Sequence, residues 1–266
     1  MSSRPGKILR LSEFINPEDN RSVILKADQG MVLGPIKGIV NLEDAIGRLR
    51  DKVDAVVLSP GQAGRIFKNF MGKAAPSLIV RADWTNVFRD ESFVLPAQRI
   101  KHVTVASASE ALALGASGVA AFFFVGYEDD EEEARNMNAV ASLARECDNL
   151  GVPLMIEAMP IGSRVTKTNY VECIDLAMRM SIEAGADAVA VPYTGDRNSF
   201  TKIVDAAKVP IFTFDFGNTT KSSLEIIEEA LEAGASGMIV GKRTLREDDL
   251  VEVLRSINTL VHEEIG

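Results

Sequence analysis

The chain has 266 residues and a formal net charge of −9, with 46% hydrophobic and 25% charged side chains. This length and composition suit a globular protein with one (β/α)8 barrel, which needs roughly 250 residues, or with two smaller domains. The acidic balance and the absence of a clustered basic segment argue against nucleic acid as a partner, because neutralising phosphates requires patches of lysine and arginine.

The first third of the chain predicts alternating strands and helices separated by turn residues. Asn41 precedes a helical pattern and is expected to cap it, since Glu43 and Asp44 suit the positive end of a helix. The predicted elements here are a strand Ser22–Asp28, a helix from Asn41 to about Asp51, a strand Ala55–Leu58, a helix Ala63–Met71 and a strand Ser77–Asp83.

The segment Trp84–Ala97 combines aromatic and charged residues without clear periodicity. We interpret it as a long functional loop of the kind that covers a barrel mouth. His102–Val105 follows as a short extended stretch, and we expect it to lead into the helix Ala108–Leu114 rather than to form a barrel strand.

The rest of the chain repeats one phrase, in which a helix ends on a glycine and a buried strand follows. The phrase is clearest at Ala184–Asp196 and recurs at Gly115–Gly126 and Gly234–Lys242. Such a repeat indicates a serial β/α architecture, and no change of composition marks a second domain. We therefore predict an α/β fold, a single (β/α)8 TIM barrel over residues 1–266. The predicted elements in this part are strands Gly118–Val125, Pro153–Met159, Asp187–Tyr193, Ile211–Phe216 and Gly237–Val240, and helices Asp129–Leu150, Tyr170–Glu183, Ser199–Ala207, Ser222–Ala233 and Glu247–Glu264.

Nothing in the sequence predicts a membrane anchor, because the longest apolar run, Val119–Val125, is too short to span a bilayer. Cys147 and Cys173 lie in helical patterns without the spacing of a zinc site. We therefore expect reduced thiols in a cytoplasmic protein that does not contact membranes.

Five ionisable residues are predicted to point into the barrel, because side chains of a strand alternate between its two faces. Charges in a barrel interior cost several kcal/mol unless they are paired, so these residues form either a structural ion network or a site. Asp28 and Asp83 end their strands, where barrels of this type carry their active sites, which favours a catalytic site. The five candidates are Lys26, Asp28, Arg81, Asp83 and Glu157.

Glu157 lies between Met155 and Met159 on one strand face, so we expect an acid–base role for it. If it instead pairs directly with Arg81 or Lys26, its role becomes structural. A divalent metal on Asp28, Asp83 and Glu157 is compatible with oxygen ligands, but no strand end has a closely spaced carboxylate pair. We expect neither a metal nor a cofactor, and we expect His102 and His262 to be structural or exposed.

Two loops predict a phosphate site, because barrels often bind phosphate after the seventh and eighth strands. Gly217 and Asn218 lie in the first loop, and Gly241 and Lys242 lie in the second. Their backbone N–H groups are the expected donors, with added charge from Lys242 or Arg243. Alternatively, these glycines only permit tight turns.

Several phrases resemble the archaeal-type class I fructose-bisphosphate aldolases and their relatives, including 2-amino-3,7-dideoxyheptulosonate synthases and autoinducer-processing aldolase-like enzymes. Asp28-Gln29-Gly30 resembles the D-H-G that ends the first strand in that family, and the match continues at 54–61, 151–154, 185–187 and 234–241. The resemblance implies Schiff-base chemistry on a phosphorylated small-molecule substrate. It also implies a homo-oligomer in the form of a ring.

The departures from that family lie at the catalytic positions. The resemblance puts Ala190 at the Schiff-base lysine, Met159 at the proton-handling tyrosine, Glu157 at an aromatic position and Ile161 at an arginine. Gln29 replaces the histidine of D-H-G. An imine cannot form on alanine, so the usual mechanism is not available at the usual place.

Three hypotheses follow. The first is a carbon–carbon lyase or transferase on a phosphorylated ketose or related anion, with the imine chemistry moved to Lys26 and acid–base work done by Asp28 and Glu157. Lys26 is the only lysine that alternation places inside the barrel, although it could instead be a protonated partner of either carboxylate. The second is a non-imine isomerase or acyl-transfer enzyme, and the third is a catalytically inactive ring-forming binding protein. The charged interior favours an enzyme, because a disused site should drift toward apolar residues.

Overall fold

Eight parallel strands close into a barrel in the computed structural model, which describes residues 4–217 and 219–263. The last barrel strand pairs with the first, so the sheet has no open edge. The predicted (β/α)8 TIM barrel is therefore confirmed. The strands are β1 (Ser22–Lys26), β2 (Ala55–Leu58), β3 (Ser77–Arg81), β4 (Asp83–Thr85), β5 (His102–Thr104), β6 (Gly118–Val125), β7 (Leu154–Pro160), β8 (Ala188–Tyr193), β9 (Ile211–Gly217) and β10 (Gly237–Val240), of which β4 and β5 lie outside the barrel.

Helices cover the outside of the barrel, and their buried apolar residues form one cluster with the outward faces of the strands. None of the helices in the described part of the chain is long and apolar enough to cross a membrane. The α-helices are α1 (Arg4–Phe14), α2 (Gly30–Leu33), α3 (Leu42–Leu49), α4 (Pro60–Ala63), α5 (Ala108–Ala113), α6 (Asp130–Leu150), α7 (Tyr170–Glu183), α8 (Arg197–Ala207), α9 (Ser223–Glu232) and α10 (Leu250–His262), with 3-10 helices at Phe67–Phe70 and Thr244–Arg246.

The strand alternation predicted for β1 is confirmed. Val23 and Leu25 pack in the outer cluster against the helices, whereas Ile24 belongs to a separate cluster inside the barrel. Each fully buried side chain of this kind contributes about 1.5–3 kcal/mol to stability. A one-residue slip would exchange the two faces, so burial on both sides fixes which side chains enter the barrel.

Two helical segments differ from the prediction. The predicted helix Ala63–Met71 is wrong: α4 begins at Pro60, whose ring suits the first helical position, and a 3-10 helix follows. The first helix, α1, was not predicted because the start of the chain is polar. Its last residue, Phe14, packs under the barrel, with a ring atom 3.2 Å from where a Cβ of Gly118 would lie.

A hairpin outside the barrel carries the segment over the mouth. β3 ends at Arg81, and β4 then pairs antiparallel with β5. The prediction that His102–Val105 is an extended stretch outside the barrel is confirmed, although its pairing with β4 was not predicted. The residues between β4 and β5 return across the barrel, where Val87 and Phe88 pack on the inner cluster. The predicted covering loop is confirmed, because Val87 and Phe88 also line the cavity at the mouth.

His262 fastens α10 to the amino-terminal end of the barrel. Its Nδ1 lies 2.7 Å from Asp19 Oδ2 and its Nε2 lies 3.0 Å from Asp54 Oδ2, while Asp54 also accepts the Val23 N–H at 2.6 Å. The hydrogen bond with Asp54, aided by Asp19, raises the pKa of His262 to about 9, although burial opposes the shift. His262 is therefore structural, as one of the two expectations stated.

The His262→Gln variant should lower the free energy of unfolding by about 1–2 kcal/mol at pH 6, because the folded state loses a doubly paired cation. The contribution of a raised pKa is complete below the unfolded value near 6.5 and is lost as pH rises through about 9. Urea unfolding at pH 6 and pH 9.5 measures this difference. Arg255→Gln, on the exposed face of the same helix, is the control, and an equal loss for His262→Gln at both pH values would contradict the assignment.

Candidate active site

The five charged residues predicted inside the barrel form one buried network around Arg81. Arg81 Nε donates to Asp28 Oδ2 at 2.6 Å, Nη2 donates to Glu157 Oε1, and Nη1 lies 3.6 Å from Asp83 Oδ1. Lys26 Nζ reaches across the barrel and donates to Glu157 Oε2. Strands β1, β3 and β7 are therefore tied together by charge at the level of the barrel mouth.

The electrostatics of this network favour the charged forms of Arg81 and Asp28. Burial lowers the pKa of Arg81, but Glu157, Asp28 and Asp83 more than offset it, so the pKa is raised. For Asp28, burial raises the pKa, yet Lys26 and Arg81 together lower it below its ordinary value. Asp28 is thus a carboxylate at neutral pH in spite of its burial.

Glu157 pairs directly with Lys26 and Arg81, which is the alternative under which its role becomes structural, so any acid–base role must act through these contacts. The Phe122 ring lies under the same two cations, with its centroid 4.3 Å from Lys26 Nζ and 4.0 Å from Arg81 Cζ. On β8, Ala190 is in register with Glu157. Lys26 is therefore paired with Glu157, one of the two states considered for it, and this partner is the β7 residue in register with Ala190.

Asp83 connects the network to a series of hydrogen-bonded polar side chains that the sequence analysis did not predict. Its Oδ2 accepts the Phe122 N–H at 2.6 Å and lies 2.6 Å from His102 Nε2. His102 Nδ1 in turn lies 3.2 Å from the Asn136 side-chain nitrogen on α6, and the Asn136 oxygen accepts the Phe124 N–H at 2.9 Å. Pairing of β4 with β5 brings these residues together, and no local pattern signals it.

A cavity of about 610 Å³ opens at the mouth, above Lys26 and Glu157. Its walls are largely apolar, and one side of its rim is basic. No ion pair joins Lys242 or Arg246 to another residue in the parts of the chain that the structure describes. The residues that line this cavity include Lys26, Glu157, Asp215, Gly241, Lys242 and Arg246.

Among the described residues predicted to bind phosphate, Gly241 does not offer a free backbone donor. A Cβ at Gly217 would collide with the Tyr193 carbonyl oxygen, so this glycine permits close approach of β8 and β9. Asn218 lies outside the described residues. The Gly241 N–H donates to Asp215 at 2.9 Å, which corrects its expected role as a free donor. Lys242 is the predicted phosphate residue that brings an exposed charge to the cavity.

Asp215 is the second residue that sequence analysis missed. It is 1% exposed, and its Oδ2 accepts the N–H groups of Gly241 and Thr244, both at 2.9 Å. Burial raises the pKa of Asp215, although the hydrogen bonds from Thr244 and Gly241 oppose the shift. The side chain reaches these groups across the neighbouring strand β10, a contact that alternation along β9 does not predict.

Residues 22–247 match the DeoC/LacD family of aldolases. The chain belongs to this family. It is 28% identical to 2-amino-3,7-dideoxy-D-threo-hept-6-ulosonate synthase of Halobacterium salinarum, over 97% of this chain and 92% of that protein. It is 30% identical to fructose-bisphosphate aldolase class 1 of Thermoproteus tenax, over 91% of this chain and 90% of the relative. The family and its relatives identify an aldolase-type enzyme.

The solved structure of an archaeal fructose-1,6-bisphosphate aldolase superposes with a TM-score of 0.80 at 27% identity, over 95% of this chain and 98% of the other. That protein has its catalytic lysine covalently bound to the carbinolamine intermediate of its substrate. The barrel and the family are thus shared. The correspondence of Ala190 with such a lysine stays a prediction of the sequence resemblance.

Replacing Arg81 by glutamine should lower the free energy of unfolding by about 3–5 kcal/mol at pH 7, because it leaves buried carboxylates without their cation. The lowered pKa of Asp28 contributes stability above its ordinary range, and this contribution is lost as pH falls. The gap between wild type and variant should therefore narrow below about pH 4. Urea unfolding of both proteins at pH 7 and below pH 4 measures this difference in the free energy of unfolding.

Arg164→Gln is the matched control, because Arg164 forms an ion pair with Asp130 at the surface and is 56% exposed. Its cost should stay below about 1 kcal/mol at either pH. An Arg81→Gln cost no larger than that of Arg164→Gln would show that the network contributes nothing to stability.

Proposed function

We propose that the protein is a carbon–carbon lyase or transferase that acts on a phosphorylated ketose or related anion, with the Lys26 amine as the nucleophile. One observation carries the proposal: Lys26 Nζ lies at the floor of the mouth cavity, in contact with Glu157, which is in register with Ala190. The amine thus reaches the barrel centre from β1 instead of from β8.

Glu157 supports the proposal as the proton acceptor for this amine. A lysine attacks a carbonyl only when it is neutral, and a carboxylate in direct contact can take its proton. Arg81 donates to the other oxygen of Glu157 and so holds it in position. The neutral amine then bonds to the carbonyl carbon of the ketose, Glu157 returns the proton to the departing oxygen, which leaves as water, and an iminium results.

Asp28 is the proposed base for cleavage. The iminium accepts the electron pair of the breaking carbon–carbon bond when a base removes the hydroxyl proton of the departing fragment, which leaves as an aldehyde. Asp28 is ionised, because Lys26 and Arg81 lower its pKa, and its Oδ1 accepts no hydrogen bond from any residue that the structure describes. Arg81 and Asp83 would position this carboxylate.

The basic rim supports an anionic substrate. Lys242 and Arg246 line the same cavity as Lys26, and both are exposed, so they can contact a phosphate or carboxylate of the ligand with their side chains. This arrangement differs from the backbone cradle expected from the loops. It uses only side-chain charge.

The test of the nucleophile is reductive trapping. The protein is incubated with dihydroxyacetone phosphate or fructose 1,6-bisphosphate, reduced with borohydride, and digested for peptide mass spectrometry. We expect an adduct on Lys26. Lys26→Arg should abolish it, because arginine keeps a positive charge facing Glu157 but does not form the imine.

Lys242, the other lysine that lines the cavity, is the internal control. An adduct on Lys242 alone, or on no lysine, would exclude the proposed nucleophile. Turnover without any adduct would favour a non-imine isomerase or acyl-transfer enzyme, and binding without turnover would favour a catalytically inactive binding protein.

Lys242→Ala should weaken the binding of fructose 6-phosphate by about twofold to fivefold, because an exposed ion pair contributes up to about 1 kcal/mol. Binding of unphosphorylated fructose should not change. Isothermal titration calorimetry at low ionic strength measures both, with Lys208→Ala, on the helix α8 side of the barrel, as the control. Equal weakening for both sugars would argue against phosphate contact at Lys242.

A further inference from the structure

We propose that Asp215 and Gln29 form a subsite around Gly241 that binds a hydrogen-bond-donating group of the ligand, a hydroxyl or an ammonium, and that Asp215 keeps phosphate off the adjacent backbone N–H groups. The preferred substrate then carries one anionic group, held at the basic rim, and a hydroxylated or amino-bearing end at Asp215. This inference rests on the proposed function for the use of the mouth cavity as the substrate site.

The first step of the argument is the occupation of the backbone donors. The N–H groups of Gly241 and Thr244 converge on one oxygen, Asp215 Oδ2, at 2.9 Å each. In a barrel loop, converging N–H groups of this kind otherwise donate to a phosphate oxygen. A phosphate brought to them would have to displace the Asp215 carboxylate or lie against its negative charge in a buried setting, where repulsion is strong.

The second step concerns Asp215 Oδ1, the carboxylate oxygen that Gly241 and Thr244 do not use. Its Oδ1 is buried, accepts no hydrogen bond from the described residues, and belongs to a residue that lines the mouth cavity. A buried carboxylate oxygen without a donor is costly, so a ligand that supplies one gains binding energy. A phosphate dianion has only acceptor oxygens and cannot supply it.

The third step is the glycine between the two polar groups. A Cβ atom at Gly241 would lie 3.3 Å from Asp215 Oδ1 and 3.1 Å from Gln29 Nε2. Any side chain there would crowd both atoms, whereas glycine leaves the approach open. Gln29 is also buried, and its Oε1 has no partner among the residues that the structure describes. A hydroxyl group, which both donates and accepts, satisfies Asp215 Oδ1 and the Gln29 amide together.

The experiment compares fructose 6-phosphate with fructose 1,6-bisphosphate, which differ by a phosphate on one hydroxyl. Dissociation constants are measured by calorimetry for wild type and for Asp215→Asn. Wild type should bind the monophosphate more tightly. Asparagine has nearly the shape of aspartate, so it can still accept from Gly241 and Thr244 with its oxygen while its NH2 group faces the ligand. Asp215→Asn should therefore shift the ratio of the two constants at least tenfold toward the bisphosphate.

A second readout needs no variant. In wild type, the backbone amide NMR signals of Gly241 and Thr244 should move little on binding of either sugar phosphate, because their protons stay with Asp215. Large shifts with the bisphosphate, or a wild-type preference for the bisphosphate that Asp215→Asn leaves within twofold, would overturn the subsite. Absence of binding of both ligands would overturn the subsite and the proposed function together.

The calorimetry is repeated on Lys26→Arg, in which no imine can form. A shift of selectivity in Asp215→Asn without any borohydride adduct would remove the Lys26 nucleophile and support the subsite. An adduct on Lys26 without a shift of selectivity would support the nucleophile and exclude the subsite. The two proposals therefore fail separately.

Discussion

The buried guanidinium of Arg81 is the interaction on which the barrel interior depends. It is 0% exposed and contacts Asp28, which follows β1, as well as Asp83 of β4 and Glu157 of β7. A charge in this position costs several kcal/mol unless its partners are well placed, and each partner would in turn be costly without it. The network is therefore cooperative: the side chains of Asp28, Asp83 and Glu157 can be buried together because the permanently charged Arg81 lies between them.

This constraint also determines what the centre of the barrel can do. Because Arg81 occupies one oxygen of Glu157, the other remains for Lys26, whose amine is drawn across the lumen from β1. The chain shares the barrel of its family, and under the proposed function the reactive amine comes from β1 instead of from the position predicted on β8. A barrel can tolerate such a change because its strands and helices are stabilised by apolar packing on the outer face, independently of the residues inside.

Asp215 shows how one side chain changes the chemistry of a whole loop. The converging N–H groups of Gly241 and Thr244 are suited to an anion, and the chain supplies that anion itself. The basic character of the mouth then rests on side chains such as Lys242, which are exposed and adaptable. Under the proposed subsite, a ligand at this end of the cavity therefore contacts Asp215 Oδ1, which has no partner among the described residues, rather than backbone donors.

The sequence by itself determined the architecture and the inward direction of the key residues. Alternation along β1, β3 and β7 placed Lys26, Arg81 and Glu157 inside, because a period of two is a local property of an extended chain that burial on both faces enforces. The repeated helix–glycine–strand phrase gave the barrel for the same reason. The sequence did not predict α1, whose last residue packs against Gly118 from a distant part of the chain, or the start of α4 at Pro60.

Only the tertiary structure decided which inward charges touch. The pairing of Glu157 with two cations, the contact of Asp83 with His102, and the capture of the Gly241 N–H by Asp215 all join residues from different strands. Their distances depend on barrel curvature, on the β4–β5 pairing and on side-chain reach, none of which is written in local periodicity. Contacts between residues that are distant in the sequence thus decided which candidate groups are paired and which keep an oxygen without a hydrogen-bond donor among the described residues.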